Sequence, residues 1–211
     1  ETGGGIKNFN GEPILTNCKF IGNSSVEGGG MYNGQSDPSI TACTFTNNVA
    51  SLGGGGMYNT GSSNAVLTLC EFDGNSSPAG AGGAMQNKAN DGGVGKTLIM
   101  GCIFINNIAE SGGAVDNLDS NPTIEECSFE SNKASVGDGG GIRNSGTSFP
   151  LIGSTAFCGN FHQGGELVGH IYGSYKDLGW NEFQDYCDCP DINGDGNVNV
   201  TDLLVVIDQW G

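Results

Sequence analysis

The feature that most constrains this chain is a six-residue motif that returns six times. It reads Gly-Gly-(Gly or Ala)-aliphatic-any-Asn and begins at Gly3, Gly28, Gly54, Gly82, Gly112 and Gly139. A second motif, Phe-any-any-Asn, falls between consecutive copies, at Phe20/Asn23, Phe45/Asn48, Phe72/Asn75, Phe104/Asn107, Phe129/Asn132 and Phe157/Asn160. Repetition every 25 to 32 residues is the signature of a solenoid, in which each unit buries its apolar face only against its neighbours.

Within a unit the pattern is that of extended chain. An aliphatic residue (Leu15, Ile40, Leu67, Ile99, Ile124, Ile152) stands three positions before Cys18, Cys43, Cys70, Cys102 and Cys127, with Thr155 replacing Cys in the sixth copy. Cys and Phe are two residues apart and therefore share one face of a strand, read here as the interior, where the cysteines stack as small apolar groups. The segment Ile40-Thr41-Ala42-Cys43-Thr44-Phe45 reads as one such strand. Insertions fall only in linkers rich in Gly, Ser, Asn and Pro, which are expected as surface loops. Short strand, loop, strand and tight turn leave no room for a helix, so stacking in parallel predicts a β-helix of about six coils over residues 1–160. Parallel crossovers make it right-handed. Glycines permit a tight corner, and the motif asparagines are predicted to form two ladders, 8-33-59-87-117-144 and 23-48-75-107-132-160.

The two motifs together resemble the repeats of polymorphic outer-membrane proteins and related secreted right-handed parallel β-helix proteins. Over residues 3–160 the resemblance implies surface display or adhesion, and supplies no active site. The chain opens with Glu1-Thr2 directly on a repeat; residues 1–3 are read as a cloning remnant after removal of a secretion signal, with further coils expected upstream.

Charge narrows the partners. Seven Lys and Arg against 23 Asp and Glu give a net charge of −16, a field that repels nucleic-acid phosphates and anionic lipid and favours cations. The longest apolar run, Leu203 to Ile207, is too short to span a bilayer.

Residues 190–211 carry the strongest local signal. In Asp191-Ile192-Asn193-Gly194-Asp195-Gly196-Asn197-Val198-Asn199-Val200-Thr201-Asp202, oxygen ligands stand at positions 1, 3, 5, 7, 9 and 12 of a calcium loop, with Gly196 at the sharp turn. The expected Ca²⁺ ligands are Asp191, Asn193, Asp195, the Asn197 carbonyl, Asn199 and Asp202. Leu203, Ile207 and Trp210 follow at helical spacing. The loop and its following helix resemble one half of a type I dockerin, which carries two. Its predicted role is structural, a calcium-bound cap over the open end of the solenoid. Between lies a segment, 161–189, expected as an extension tied down by a Cys158–Cys187 disulfide, with Cys189 left over.

Three other signals are weaker. Asn90–Thr97 resembles a phosphate loop but lacks the first Gly and precedes a strand. His162 and His170 read as loop and cap residues. Asn23 and Asn75 open glycosylation sequons but belong to a ladder.

Function on the rod itself is expected along the position after each motif's aliphatic residue: Lys7, Tyr32, Tyr58, Gln86, Asp116 and Arg143. These should point outward and stack coil upon coil. Three readings follow. The leading one is a non-catalytic secreted or cell-surface rod, structural or adhesive, whose partner is an extracellular polysaccharide or another surface protein. A polysaccharide-active enzyme would use Asp116, Asp119 and Arg143, although Arg143 is the sole arginine. A carbohydrate-binding module would use Tyr32 and Tyr58 as a stacking platform.

Overall fold

A computed structural model describes residues 1–61, 63–89, 95–163 and 169–184. Every element among them is a β-strand. Each coil contains four, not two: in the second coil they are Met31–Gly34, Ser39–Thr41, Thr44–Thr46 and Val49–Gly53. Equivalent strands pair in parallel between successive coils, giving three seven-stranded sheets and one of six. We number the sheets first to fourth in the order in which a coil visits them. The molecule is thus an all-β, right-handed parallel β-helix of about six turns, as the repeats require.

The strand expected over Ile40–Phe45 is broken. Ala42 is left-handed (φ 52°) and divides it into the strands Ser39–Thr41 and Thr44–Thr46. Asn17, Leu69, Gly101, Glu126 and Ser154 turn the same corner in other coils. The corner explains how an aliphatic residue and a cysteine three positions apart both face inward, which a straight strand forbids. A second corner is turned by Gly22, Asn47, Gly74, Asn106, Ser131 and Gly159, all with positive φ.

The repeat residues form continuous interior columns. The phenylalanines stack from Phe20 to Phe157 with ring centroids 4.6–5.1 Å apart and planes within 11°, a parallel-offset geometry that adds to their apolar burial. Cys43, Cys70, Cys102 and Cys127 are buried free thiols, and Cys18 is half-buried. Their column is also polar: the Cys18 amide donates to Cys43 Sγ at 3.3 Å and that of Cys70 to Cys102 Sγ at 3.4 Å. Thr155 Oγ1 and Asn181 Oδ1 accept in the same way further along, from Cys127 N and Thr155 N.

Both asparagine ladders are present. Side-chain amides link 8-33-59-87-117-144 at 2.8–2.9 Å. In the other ladder each Asn Oδ1 accepts from both the amide and the backbone N–H of the Asn one coil earlier. A third ladder runs through the linkers that were expected as plain surface loops. Gly11 N donates to Ser36 Oγ, Ser36 N to Ser63 Oγ, and Ser120 N to Ser148 Oγ.

The described residues 161–163 and 169–184, expected as an extension beyond the coils, continue them. Phe161–His162 completes the sixth coil by pairing with Lys133–Ala134 of the fifth, and Ile171–Tyr172, Lys176–Gly179 and Glu182–Gln184 pair with the sixth. Phe183 stacks on Phe157 at 5.1 Å. His170 fills the place of the motif's third small residue, with Nδ1 3.3 Å from the Asn160 amide, so it closes the second ladder.

Candidate functional site

The outward column of the first sheet is in register from coil to coil, Lys7-Tyr32-Tyr58-Gln86-Asp116-Arg143, and continues to Tyr172. Its expected exposure is not found. Lys7 is exposed, Tyr32 and Arg143 are partly covered, but Tyr58, Gln86 and Asp116 are 4%, 8% and 0% accessible. The cause is the glycine corner: the chain entering each motif folds back over the outer face of the strand that follows. A side chain at Gly53 would collide with Gln86 Oε1, and one at Gly54, at φ +62°, with the Met57 carbonyl. The glycines thus let backbone cover this column.

Under that cover the column is a closed polar chain. Gln86 Nε2 donates to Asp116 Oδ2 at 2.8 Å, and Arg143 Nε donates to Asp116 Oδ1 at 2.6 Å. Burial pushes the Asp116 carboxyl above its usual range, against the opposing pull of Arg143 and Gln86. The ion pair is therefore not a solvated surface pair: one partner is fully buried and the other a quarter exposed. Tyr32 and Tyr58 stack at 5.6 Å with rings within 13°. Burial, and then the neighbouring Glu27 carboxylate, raise the Tyr58 phenol well above its normal range. Asp119 does not join Asp116. It is left-handed (φ 54°), and its Oδ1 accepts from the Thr147 amide and hydroxyl.

The face is exposed at both ends of the column, at Lys7 and at Tyr172, and a recess opens beside its first coils. A shallow depression of about 140 Å³ is lined by Phe9, Tyr32, Gly34, Gln35, Thr60 and Gly61. Of these only Tyr32 lies at a motif position that the sequence marks as outward-facing. Phe9 follows a motif Asn, where the linker was read as loop, and nothing in the repeat marks it.

The calcium-loop residues Asp191, Asn193, Asp195, Asn197, Asn199 and Asp202, and Cys187 and Cys189, lie outside the described residues, as does part of the phosphate-loop lookalike. Cys158 is disulfide-bonded. Asn75 is fully buried and hydrogen-bonded, so its sequon is closed in the folded chain. Among the described residues no group of three or more His, Cys, Asp or Glu is placed to hold a metal, and no helix is long and apolar enough to cross a membrane.

A family model for the right handed beta helix region matches residues 2–157, about three quarters of the chain. The chain belongs to this right-handed β-helix family. No curated protein and no solved structure matches it.

Proposed function

We propose that this chain is a non-catalytic rod of a secreted or cell-surface protein that serves a structural or adhesive role. One observation carries the reading. The only buried carboxylate of the outward column, Asp116, is 0% accessible and both its oxygens are engaged, so it serves cohesion of the coils and is closed to a glycosidic substrate. The motif likeness to surface-displayed β-helix repeats and the net charge of −16 support an extracellular setting, with a polysaccharide or another surface protein as partner.

In the same proposal Asp191, Asn193, Asp195, Asn197, Asn199 and Asp202 hold one structural Ca²⁺, and Cys158 pairs with Cys187. The ligand spacing supports the calcium site, and the engagement of Cys158 in a disulfide is consistent with the pairing. Calorimetry should detect one Ca²⁺ per chain and none after Asp195→Ala. A reducing-end assay on polyuronates and neutral glycans, with calcium present, tests the central claim. No new reducing ends are expected; cleavage that Asp116→Asn abolishes would establish the polysaccharide-active reading instead.

A further inference from the structure

Phe9 and Tyr32 come from adjacent coils, and Gly34 lies in register with Phe9. Later coils carry Thr60, Lys88, Leu118 and Ser145 in that column. A Cβ at Gly34 would lie 2.9 Å from Phe9 Cδ2 and 3.0 Å from Tyr32 Cε1. Both rings therefore close on bare backbone, and they form the wall of the depression. Its floor continues to Gly61, at φ +74°, along which the Gln35 stem lies; a Cβ there would be 3.0 Å from Gln35 Cγ.

The two rings play different parts. Tyr32 has Tyr58 stacked on it at 5.6 Å and Lys7 Nζ 5.8 Å from its centroid. It can offer the recess only its edge and hydroxyl. Phe9 is 62% exposed and presents an open ring. Gln35, also exposed, brings an amide with two donors and an acceptor to the rim. None of the described lining residues is charged, while Glu27 lies close enough to act on Tyr32.

We propose that this depression is a glycan-binding subsite for one neutral hexopyranose unit. The apolar C–H face of the ring stacks on Phe9, and its hydroxyls meet the Gln35 amide and the Tyr32 phenol. An open aromatic ring with a few convergent polar groups is what a small concave site needs to take an amphipathic ligand. The uncharged lining and acidic field select against uronates. The inference rests on the adhesive reading above and moves recognition from Tyr58, which is covered, to Phe9.

The test is titration of the ¹⁵N-labelled chain with neutral gluco-, galacto- and manno-oligosaccharides and, separately, with oligogalacturonate. Saturable shifts of the Gly34, Gln35 and Gly61 amides are expected with at least one neutral sugar. Phe9→Ala should weaken that binding at least tenfold, and Tyr32→Phe less, while Val136→Ala, a distant exposed position, leaves it unchanged. The subsite is overturned if no neutral sugar moves these amides, if the shifts survive Phe9→Ala, or if oligogalacturonate alone produces them. Shifts elsewhere on the rod would overturn the subsite yet support adhesion. Cleavage of the sugars in the same samples would overturn the non-catalytic reading and leave the subsite standing.

Discussion

At the scale of single residues, the interior is held by groups that satisfy one another coil by coil, and one exception is instructive. Ser77 is fully buried in the inner column of the fourth sheet, paired with Ala109. Its Oγ has no hydrogen-bond partner among the described residues. A buried hydroxyl without a partner is a desolvation cost that Ala lacks. Ser77→Ala is therefore expected to stabilise the chain by about 1 kcal/mol, read as a higher urea midpoint at unchanged slope. Asn75→Ala should do the opposite, costing about 2–4 kcal/mol, because it orphans the Asn48 amide groups and the Phe45 carbonyl together. The cysteine column adds a pH dependence. Burial pushes the Cys43 thiol up; a hydrogen bond with Cys102, then burial, raises Cys70; and a hydrogen bond with Cys127 pushes Cys102 up to about 12. A raised thiol pKa favours the folded state while the unfolded thiol is still protonated. That stability is complete below about pH 8.5, the ordinary thiol value, and is lost as pH rises toward the folded value. Urea midpoints should be flat from pH 6 to 8 and fall above, with a shallower fall in Cys102→Ala.

At the scale of strands and corners, space rather than φ alone decides what a glycine is worth. Gly22 and Gly54 have nearly equal φ, +64° and +62°. A Cβ at Gly22 meets nothing within 4 Å, and Asn47 and Asn106 turn the same corner in later coils. At Gly54 the added carbon would strike the Met57 carbonyl. Gly22→Ala should lose only the left-handed penalty, about 1–2 kcal/mol, and Gly22→Asn less, whereas Gly54→Ala should cost clearly more and shift the Tyr58 environment, visible in near-ultraviolet circular dichroism. This distinction also marks what was legible beforehand. The inner columns, both asparagine ladders and the parallel stacking follow from motif spacing, because side-chain parity reports which way a strand residue points. Parity says nothing about what a neighbouring corner lays over an outward residue, so Tyr58, Gln86 and Asp116 were expected in solvent. It is also blind to a single left-handed residue, such as Ala42, that resets the count. The repeat does not mark the seventh rung, because His170 stands where the motif has its third small residue, Gly173 replaces its Asn, and Asn181 replaces the cysteine; His170 Nδ1 nevertheless meets the Asn160 amide as a ladder Asn would, and Asn181 Oδ1 accepts as the cysteine sulfur does.

At the scale of the whole molecule, a solenoid has no long-range centre: its stability is a sum of coils and of interfaces between neighbours. The Phe stack makes this measurable. Phe72 lies between Phe45 at 4.6 Å and Phe104 at 5.1 Å and is fully buried. Phe20, in the first coil, stacks on Phe45 and is 6% accessible. Truncating a buried Phe costs about 3–5 kcal/mol, but where it is removed decides how the loss spreads. Phe72→Ala weakens two interfaces in mid-rod, and the coils on either side can then open separately. Phe20→Ala weakens one interface, and the coil it loosens has the rest of the rod as a template on one side only. Hydrogen exchange should therefore show Phe20→Ala raising rates in residues 1–27 with little change beyond the third coil. Phe72→Ala should raise them symmetrically around the third coil, into the second and fourth, and lower the urea slope, since a split cooperative unit exposes its surface in two steps. Equal, uniform loss of protection in both variants would mean that the rod unfolds as one block, and that its coils are coupled beyond nearest neighbours.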